Sequence, residues 1–279
     1  AIKTSFNYQL VLNRASIEER TTASLDFIAR SEDDEFGRNI SISNNYIAVG
    51  LPNEDSDLKG VFSTDISSDV NDLSEDSGAV YIYKQLDTGQ WEYDAYIKAS
   101  LPDSGDLFGY SVSLNNNLLV VSAPGEDSLT SGTFKWNDED QDGVNDNTIA
   151  ANAELNNLAQ SSGAVYVFKR DEGDTGTWKQ IFYIKPETNQ PADDGYNNAF
   201  GDIVLFQDTF LLISAPKEDS VDGRAGDASQ ANSGAVFIYE HDTSNNTDSF
   251  NFLDGIKAPN AKAGDSFGFS IAMNEGLIV

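Results

Sequence analysis

One pattern of four short strands recurs along the chain and predicts an all-β protein of the β-propeller class. Each copy opens with Phe-Gly and continues with segments of strand-like periodicity, with no helical periodicity between them. Antiparallel strands repeated in the same order are typical of blades around a central channel, whereas a β-sandwich has no need to copy the same four strands. We therefore expect four-stranded antiparallel blades.

The first strand of each copy follows its Phe-Gly pair. The pairs are Phe36-Gly37, Phe108-Gly109, Phe200-Gly201 and Phe267-Gly268. The segment Ser111-Val112-Ser113-Leu114 alternates with a period of two, which fits a strand with one buried face. We expect each phenylalanine to pack between blades and each glycine to allow a close approach of two strands.

The second strand of each copy is a continuous apolar run that ends at a proline. The three runs are Ile47 to Pro52, Leu118 to Pro124 and Phe210 to Pro216. Proline cannot donate to a strand ladder, so it should end the strand. The same triplet follows each proline after one residue, as Glu54-Asp55-Ser56, Glu126-Asp127-Ser128 and Glu218-Asp219-Ser220. This recurrence favours a shared structural role in the turn or the neighbouring loop, and a ring of cation sites is the alternative.

The third and fourth strands complete each unit. The third strands begin with Ser-Gly-Ala-Val, at Ser77, Ser162 and Ser233. The fourth strands are marked by Trp91 with Tyr96-Ile97-Lys98, by Trp178 with Tyr183-Ile184-Lys185, and by Phe252 with Gly255-Ile256-Lys257. The units differ in length almost entirely in their loops.

The repeats divide the chain into parts of one propeller fragment, residues 1–279. In chain order we expect the end of an earlier blade at 1–30, a blade at 36–100, a blade at 108–186 with a long insertion at 129–161, a blade at 200–258, and the start of a truncated blade at 267–279. The chain begins at Ala1 and stops at Val279 inside an apolar segment, so we expect it to be a piece of a longer polypeptide.

These residues resemble the FG-GAP repeat family, the blade type of the integrin alpha-subunit propeller, in its bacterial variant with a tryptophan in the outer strand. Phe-Gly opens each repeat, and Ser122-Ala123-Pro124 and Ser214-Ala215-Pro216 stand where the family has Gly-Ala-Pro. The resemblance implies a complete propeller of about seven blades, in secreted or surface proteins that bind other macromolecules. Integrin-type blades carry a calcium loop between the first two strands, and this chain has only the short turns Asn44-Asn45 and Asn115-Asn116-Asn117 there.

The composition narrows the range of partners. The chain has 46 acidic and 17 Lys or Arg residues, a formal net charge of -29 and no cysteine. Such acidity disfavours nucleic acid and anionic membrane surfaces as partners, and no apolar run reaches the roughly 20 residues of a membrane helix. The absence of cysteine excludes disulfides and thiolate chemistry. The acidity itself fits either solubility in a salty exterior or specific cation binding.

One acidic segment has the spacing of a calcium loop. Asp138, Asp140 and Asp142 alternate before Gly143, the Val144 carbonyl can add an oxygen, and Asp146 can bind directly or through water. Ile149 stands where an EF-hand has its bidentate glutamate, so the site needs another donor, for which Glu154 is a candidate. The motif therefore predicts calcium, and a solvated acidic loop is the alternative.

The sequence favours binding over catalysis. The single histidine, His241, stands beside Asp242 in a polar hairpin, a setting typical of a surface residue, and no catalytic constellation is evident. We expect the insertions 57–76, 129–161 and 221–232 to emerge on one face together with the loops that link blades. The expected function is a calcium-associated, extracellular module that binds a protein or glycan through that face. The alternatives are the scaffold of a polysaccharide-processing enzyme and a structural spacer in a large adhesin.

Overall fold

The computed structural model describes residues 33–64, 66, 71–136, 157–171, 176–186, 198–220, 229–244, 247–274 and 277–278. Within these ranges the chain forms sixteen strands and no helix, so it contains no helix that could cross a membrane. The earlier blade expected at 1–30 lies outside the described residues. The strands form three large antiparallel sheets and one short hairpin.

The first two sheets have five strands each. Blade 1 has the order β1-β2-β4-β5-β3 and comprises β1 (Ile40–Ser43), β2 (Tyr46–Leu51), β3 (Val61–Phe62), β4 (Ala79–Gln85) and β5 (Trp91–Ile97). Blade 2 has the order β6-β7-β9-β10-β8 and comprises β6 (Val112–Asn115), β7 (Leu118–Ala123), β8 (Gly132–Lys135), β9 (Ala164–Arg170) and β10 (Trp178–Lys185).

The third sheet has four described strands. Blade 3 has the order β11-β12-β13-β14 and comprises β11 (Val204–Gln207), β12 (Phe210–Ala215), β13 (Ala235–Asp242) and β14 (Ser249–Ile256). The hairpin of β15 (Met273–Asn274) and β16 (Leu277–Ile278) follows. The predicted all-β fold of antiparallel blades is confirmed.

The fifth strand of blades 1 and 2 was not predicted. β3 and β8 lie in segments that the sequence suggests are polar loops, and they pair with the outer edges of β5 and β10. Because β8 runs antiparallel to β10, from Gly132 opposite Lys185 to Lys135 opposite Phe182, it carries the chain down the outer edge of blade 2. The insertion at 129–161 is therefore partly a strand.

Recurring glycines allow consecutive blades to touch through their backbones. Gly78 of blade 1 forms a parallel bridge with Phe108 of blade 2 at a φ of +81°, and a Cβ there would lie 2.1 Å from the Phe108 carbonyl oxygen. At Gly163, with a φ of +82°, a Cβ would likewise lie 2.1 Å from the Phe200 carbonyl oxygen. Phe108 is fully buried in a core cluster that contains Val80 of blade 1 and Tyr166 of blade 2, with its ring centroid 5.2 Å from that of Tyr166. The expected roles of the phenylalanines and glycines are thus observed at these junctions.

Serines of the innermost strands satisfy backbone groups of the next blade. Ser41 Oγ accepts the Leu114 N–H at 2.8 Å, and Ser113 Oγ accepts the Phe206 N–H at 2.9 Å. An innermost strand has a ladder partner on one side only, so its other N–H groups need acceptors when they are buried. The alternation from Ser111 to Leu114 therefore has two causes. The apolar side chains pack in the core, and the serine side chains accept hydrogen bonds from the neighbouring blade.

Candidate functional site

The loops that bridge the second and third strands lie beside the connectors between blades. The Glu75 carbonyl accepts the Gly105 N–H at 2.9 Å, and the Asp106 carbonyl accepts the Gly125 N–H at 3.1 Å. We call this surface the loop-rich face. Its described residues are 53–60, 63–64, 66, 71–77, 98–107, 125–131, 157–162, 217–220, 229–233 and 257–266. The predicted grouping of these loops on one face is consistent with these contacts.

A buried ion pair joins each loop to the outer part of its blade. The Lys98 ammonium donates to Glu54 Oε2 at 2.7 Å and to Ser77 Oγ at 2.8 Å, and its side chain is fully buried. Glu54 comes from the triplet after β2, Ser77 precedes β4, and Lys98 follows β5. We call this arrangement the Glu-Lys clasp.

The clasp recurs in the other two blades. Glu126 pairs with Lys185, which also donates to Ser162 Oγ at 2.7 Å, and Glu218 pairs with Lys257. Burial lowers the pKa of Lys98 and Lys185, and the paired glutamates oppose that shift. Each triplet glutamate already has a lysine ammonium beside it, where a metal ion would otherwise bind. The structure therefore favours a structural role of the triplets over a ring of metal sites.

The triplet aspartates hold a backbone turn in an uncommon conformation. Asp55 Oδ1 accepts the Asp76 N–H at 2.8 Å, and Asp76 has a φ of 53°. Asp219 Oδ1 accepts the Asn232 N–H at 2.6 Å, and Asn232 has a φ of 54°. Left-handed backbone is costly for residues other than glycine. The aspartate hydrogen bonds therefore stabilise the turn that leads into the third strand.

Carboxylates crowd the loop-rich face at blade 1. Burial raises the pKa of Asp76, and the nearby carboxylates of Asp55, Glu75 and Glu35 raise it further. No group of three or more His, Cys, Asp or Glu side chains that could hold a metal ion occurs within the described ranges. These carboxylates thus give the face a negative potential without forming a metal centre there.

The residue after each Phe-Gly pair differs from blade to blade. Arg38 of blade 1 donates to the Tyr110 hydroxyl at 2.7 Å, and its guanidinium lies 4.4 Å from the centre of the Tyr110 ring in blade 2. Burial raises the pKa of Asp202 in blade 3, while the charges of Lys217 and Arg38 oppose that rise. These positions adjoin the loop-rich face, where the Leu107 carbonyl accepts the Tyr110 N–H at 3.1 Å. Their side chains differ from blade to blade, whereas the clasp residues stay the same.

Comparison with protein families agrees with this geometry. Residues 91–134, from β5 to β8, match the family described as FG-GAP repeat. The chain therefore contains an FG-GAP repeat at these residues. FG-GAP repeats form propeller modules that often occur in extracellular proteins with adhesion or binding roles. No curated protein matches the sequence.

The predicted calcium ligands of this chain, from Asp138 to Asp146, lie outside the described residues, as does Glu154. Both flanks of that segment are anchored. Trp136 is buried, and its backbone N–H donates to the Ile181 carbonyl at 2.8 Å. Asn157 donates to Asp103 Oδ2 at 2.9 Å, and the Ala159 N–H donates to the Asp127 carbonyl at 2.7 Å. The calcium loop stays a prediction, and its flanks are fixed to blade 2 and to the loop-rich face.

The single histidine of the chain is mostly buried. The His241 side chain is 12% exposed, and its ring stacks on Phe250 with centroids 4.8 Å apart. His241 Nε2 lies 2.9 Å from Asp248 Oδ1, and Asp248 Oδ2 accepts a hydrogen bond from Lys169 of blade 2 at 2.7 Å. Burial raises the pKa of Asp248, but the hydrogen bonds and charges of Lys169 and His241 together outweigh it and leave the pKa lowered. The expectation of a surface histidine was wrong, because Phe206 and Phe250 of the same blade pack against the ring.

Sequence reasoning missed the lysines of the clasp. Lys98, Lys185 and Lys257 mark the ends of the fourth strands, yet they were not connected with the recurring Glu-Asp-Ser triplets. The available signal was a lysine that recurs at the end of the fourth strand in three blades. A lysine and a glutamate that recur together predict a buried pair.

Proposed function

We propose that this protein is an extracellular binding module that recognises a protein or glycan through its loop-rich face. One contrast carries the proposal. The Glu-Lys clasps repeat in all three described blades, whereas the loops they hold differ in length and sequence. Variable loops on a rigid scaffold are the usual location of binding sites.

The residues after the Phe-Gly pairs, which adjoin the loop-rich face, support the same proposal. Positions 38, 110 and 202 carry arginine, tyrosine and aspartate, although they are equivalent in the repeat. Packing alone favours the same residue in each blade, as it does for the phenylalanine two positions earlier. Different polar and aromatic side chains at one equivalent position provide the distinct contacts that specific recognition needs.

Calcium is part of the proposal. Asp138, Asp140, Asp142, Asp146 and the Val144 carbonyl would bind the ion, since alternating carboxylates before a glycine suit a hard divalent cation. The described residues on either side of this segment, Trp136 and Ala159, are held by backbone hydrogen bonds. A bound ion would reduce repulsion among these acidic side chains and order the surface beside blade 2.

Calcium titration into metal-stripped protein tests the metal site. We expect heat of binding for the wild type and its loss in Asp140→Asn/Asp142→Asn. The variant Asp87→Asn/Asp171→Asn removes the same charge on the opposite face, where both residues are exposed, and should bind calcium normally. Equal affinity in all three proteins contradicts the calcium loop.

Binding to immobilised glycans and extracellular matrix proteins, measured with and without calcium, tests the recognition face. Asp72→Lys/Glu75→Lys reverses two exposed charges on the loop-rich face, and Asp87→Lys/Asp171→Lys makes the same change on the opposite face. We expect only the first pair to change binding. The assignment to the loop-rich face is contradicted if both variants lose binding equally, or if only the second variant loses it.

A further inference from the structure

The connector between blades 1 and 2 contains a buried carboxyl group at its turn. The Asp106 residue is 3% exposed, and its Oδ2 accepts the Asp103 N–H at 2.9 Å. Its own carbonyl accepts the Gly125 N–H of blade 2. The N–H of the next residue, Leu107, donates to the Asp76 carbonyl of blade 1 at 3.0 Å. Asp106 therefore lies where the two blades meet on the loop-rich face.

The cations around Asp106 already have partners. Lys98, at the end of β5, pairs with Glu54, and Lys185, at the end of β10, pairs with Glu126. No lysine or arginine in the described part of the chain forms an ion pair with Asp106.

The other charged groups that face Asp106 are carboxylates, namely Glu126, Asp103 and Asp127. An ionised Asp106 would be a third buried carboxylate beside two ammonium groups. A buried charge without its own partner is costly, and a carboxyl group avoids that cost by keeping its proton.

The repeat itself provides a neutral counterpart. The residue two positions before each Phe-Gly is Asp34, Asp106, Asn198 or Asp265. Asparagine has nearly the shape of a protonated aspartic acid and carries no charge. The junction between blades 2 and 3 is thus built with a neutral side chain at the position that Asp106 occupies between blades 1 and 2.

We propose that Asp106 is a protonated, neutral carboxylic acid at neutral pH, and that it makes the junction of blades 1 and 2 a pH-sensitive latch. Burial raises the pKa of Asp106 to about 8. The hydrogen bond from Asp103 opposes that rise, and the charges of Glu126, Asp103 and Asp127 add to it. Ionisation at alkaline pH places a negative charge against these carboxylates and loosens the contact between the connector and blade 2.

The sign of the pH dependence follows from the raised pKa. Between the unfolded value near 4 and the folded value near 8, the folded protein holds a proton that the unfolded chain releases. The stabilisation is complete below pH ~4 and is lost as the pH rises toward 8. Over this range the unfolding equilibrium constant contributed by Asp106 should rise about tenfold per pH unit, and above it the contribution should be constant.

Urea unfolding of the full chain from pH 5 to 9 tests the latch. The ratio of the wild-type unfolding constant to that of Asp106→Asn should increase with pH, by up to about tenfold per pH unit, and become constant above pH ~8. Asn198→Asp should introduce a weaker dependence of the same sign at the next junction, because Asn198 is only partly buried. Asp265→Asn is the matched control. Asp265 accepts the Lys262 N–H at 2.8 Å in the equivalent turn of the next repeat, but its side chain is exposed.

Infrared spectroscopy of the wild type gives a second readout that needs no stable variant. A carbonyl band of a protonated carboxylic acid should be present at pH 7 and disappear with a midpoint near 8. Loss of that band in folded Asp106→Asn assigns it to this residue. Absence of the band at pH 7 overturns the proposal, as does an Asp106→Asn variant whose stability depends on pH exactly as the wild type does.

Discussion

Lys185→Met leaves the Glu126 carboxylate buried without its cation. The Lys185 ammonium is fully buried and contacts both Glu126 and Ser162. In the variant, the Glu126 carboxylate still accepts the Ser128 N–H, at 3.1 Å, but has lost its ion-pair partner. Removal of one partner of a buried ion pair costs about 3–5 kcal/mol, because the remaining charge stays desolvated. This corresponds to an increase of about 150- to 5,000-fold in the unfolding equilibrium constant.

Urea denaturation at pH 7 measures this cost, with two matched variants. Lys179→Met breaks an exposed pair with Asp171, in which the lysine side chain is 42% exposed, and should cost less than about 1 kcal/mol. Glu126→Leu/Lys185→Met replaces both buried charges by apolar groups and should recover most of the lost stability. The reasoning is refuted if Lys185→Met costs less than about 1 kcal/mol, or if the double variant is no more stable than the single one.

Two further substitutions test the contacts between blades by the same assay. Gly163→Ala should cost more than Gly89→Ala, because both glycines have a φ above +80° but only at Gly163 would a Cβ lie 2.1 Å from the Phe200 carbonyl oxygen. Equal losses in the two variants count against the backbone contact. Ser113→Ala removes the acceptor of the Phe206 N–H and should cost about 1–3 kcal/mol. An unchanged midpoint of unfolding would mean that another group satisfies that N–H.

Local patterns were enough to predict the blades. Phe-Gly, the apolar run that ends at proline, and Ser-Gly-Ala are signals within a few residues, and strand periodicity depends on neighbouring side chains. β7 ends at Ala123 and β12 ends at Ala215, each directly before a proline. The fifth strands were missed because β3 has only two residues, and because β8 has four residues inside a polar insertion with no recurring motif to mark its start.

The sequence by itself determined the repeat, the antiparallel strands and the residues that separate them, because turn chemistry and alternation act over short distances. Only the tertiary structure decided which charges are buried together. Glu54 and Lys98 are 44 residues apart, and Asp106 faces Glu126 across a blade junction. Desolvation depends on what packs around a side chain, so the same carboxyl group is a solvated acid, an ion-pair partner or a protonated acid according to its place in the fold.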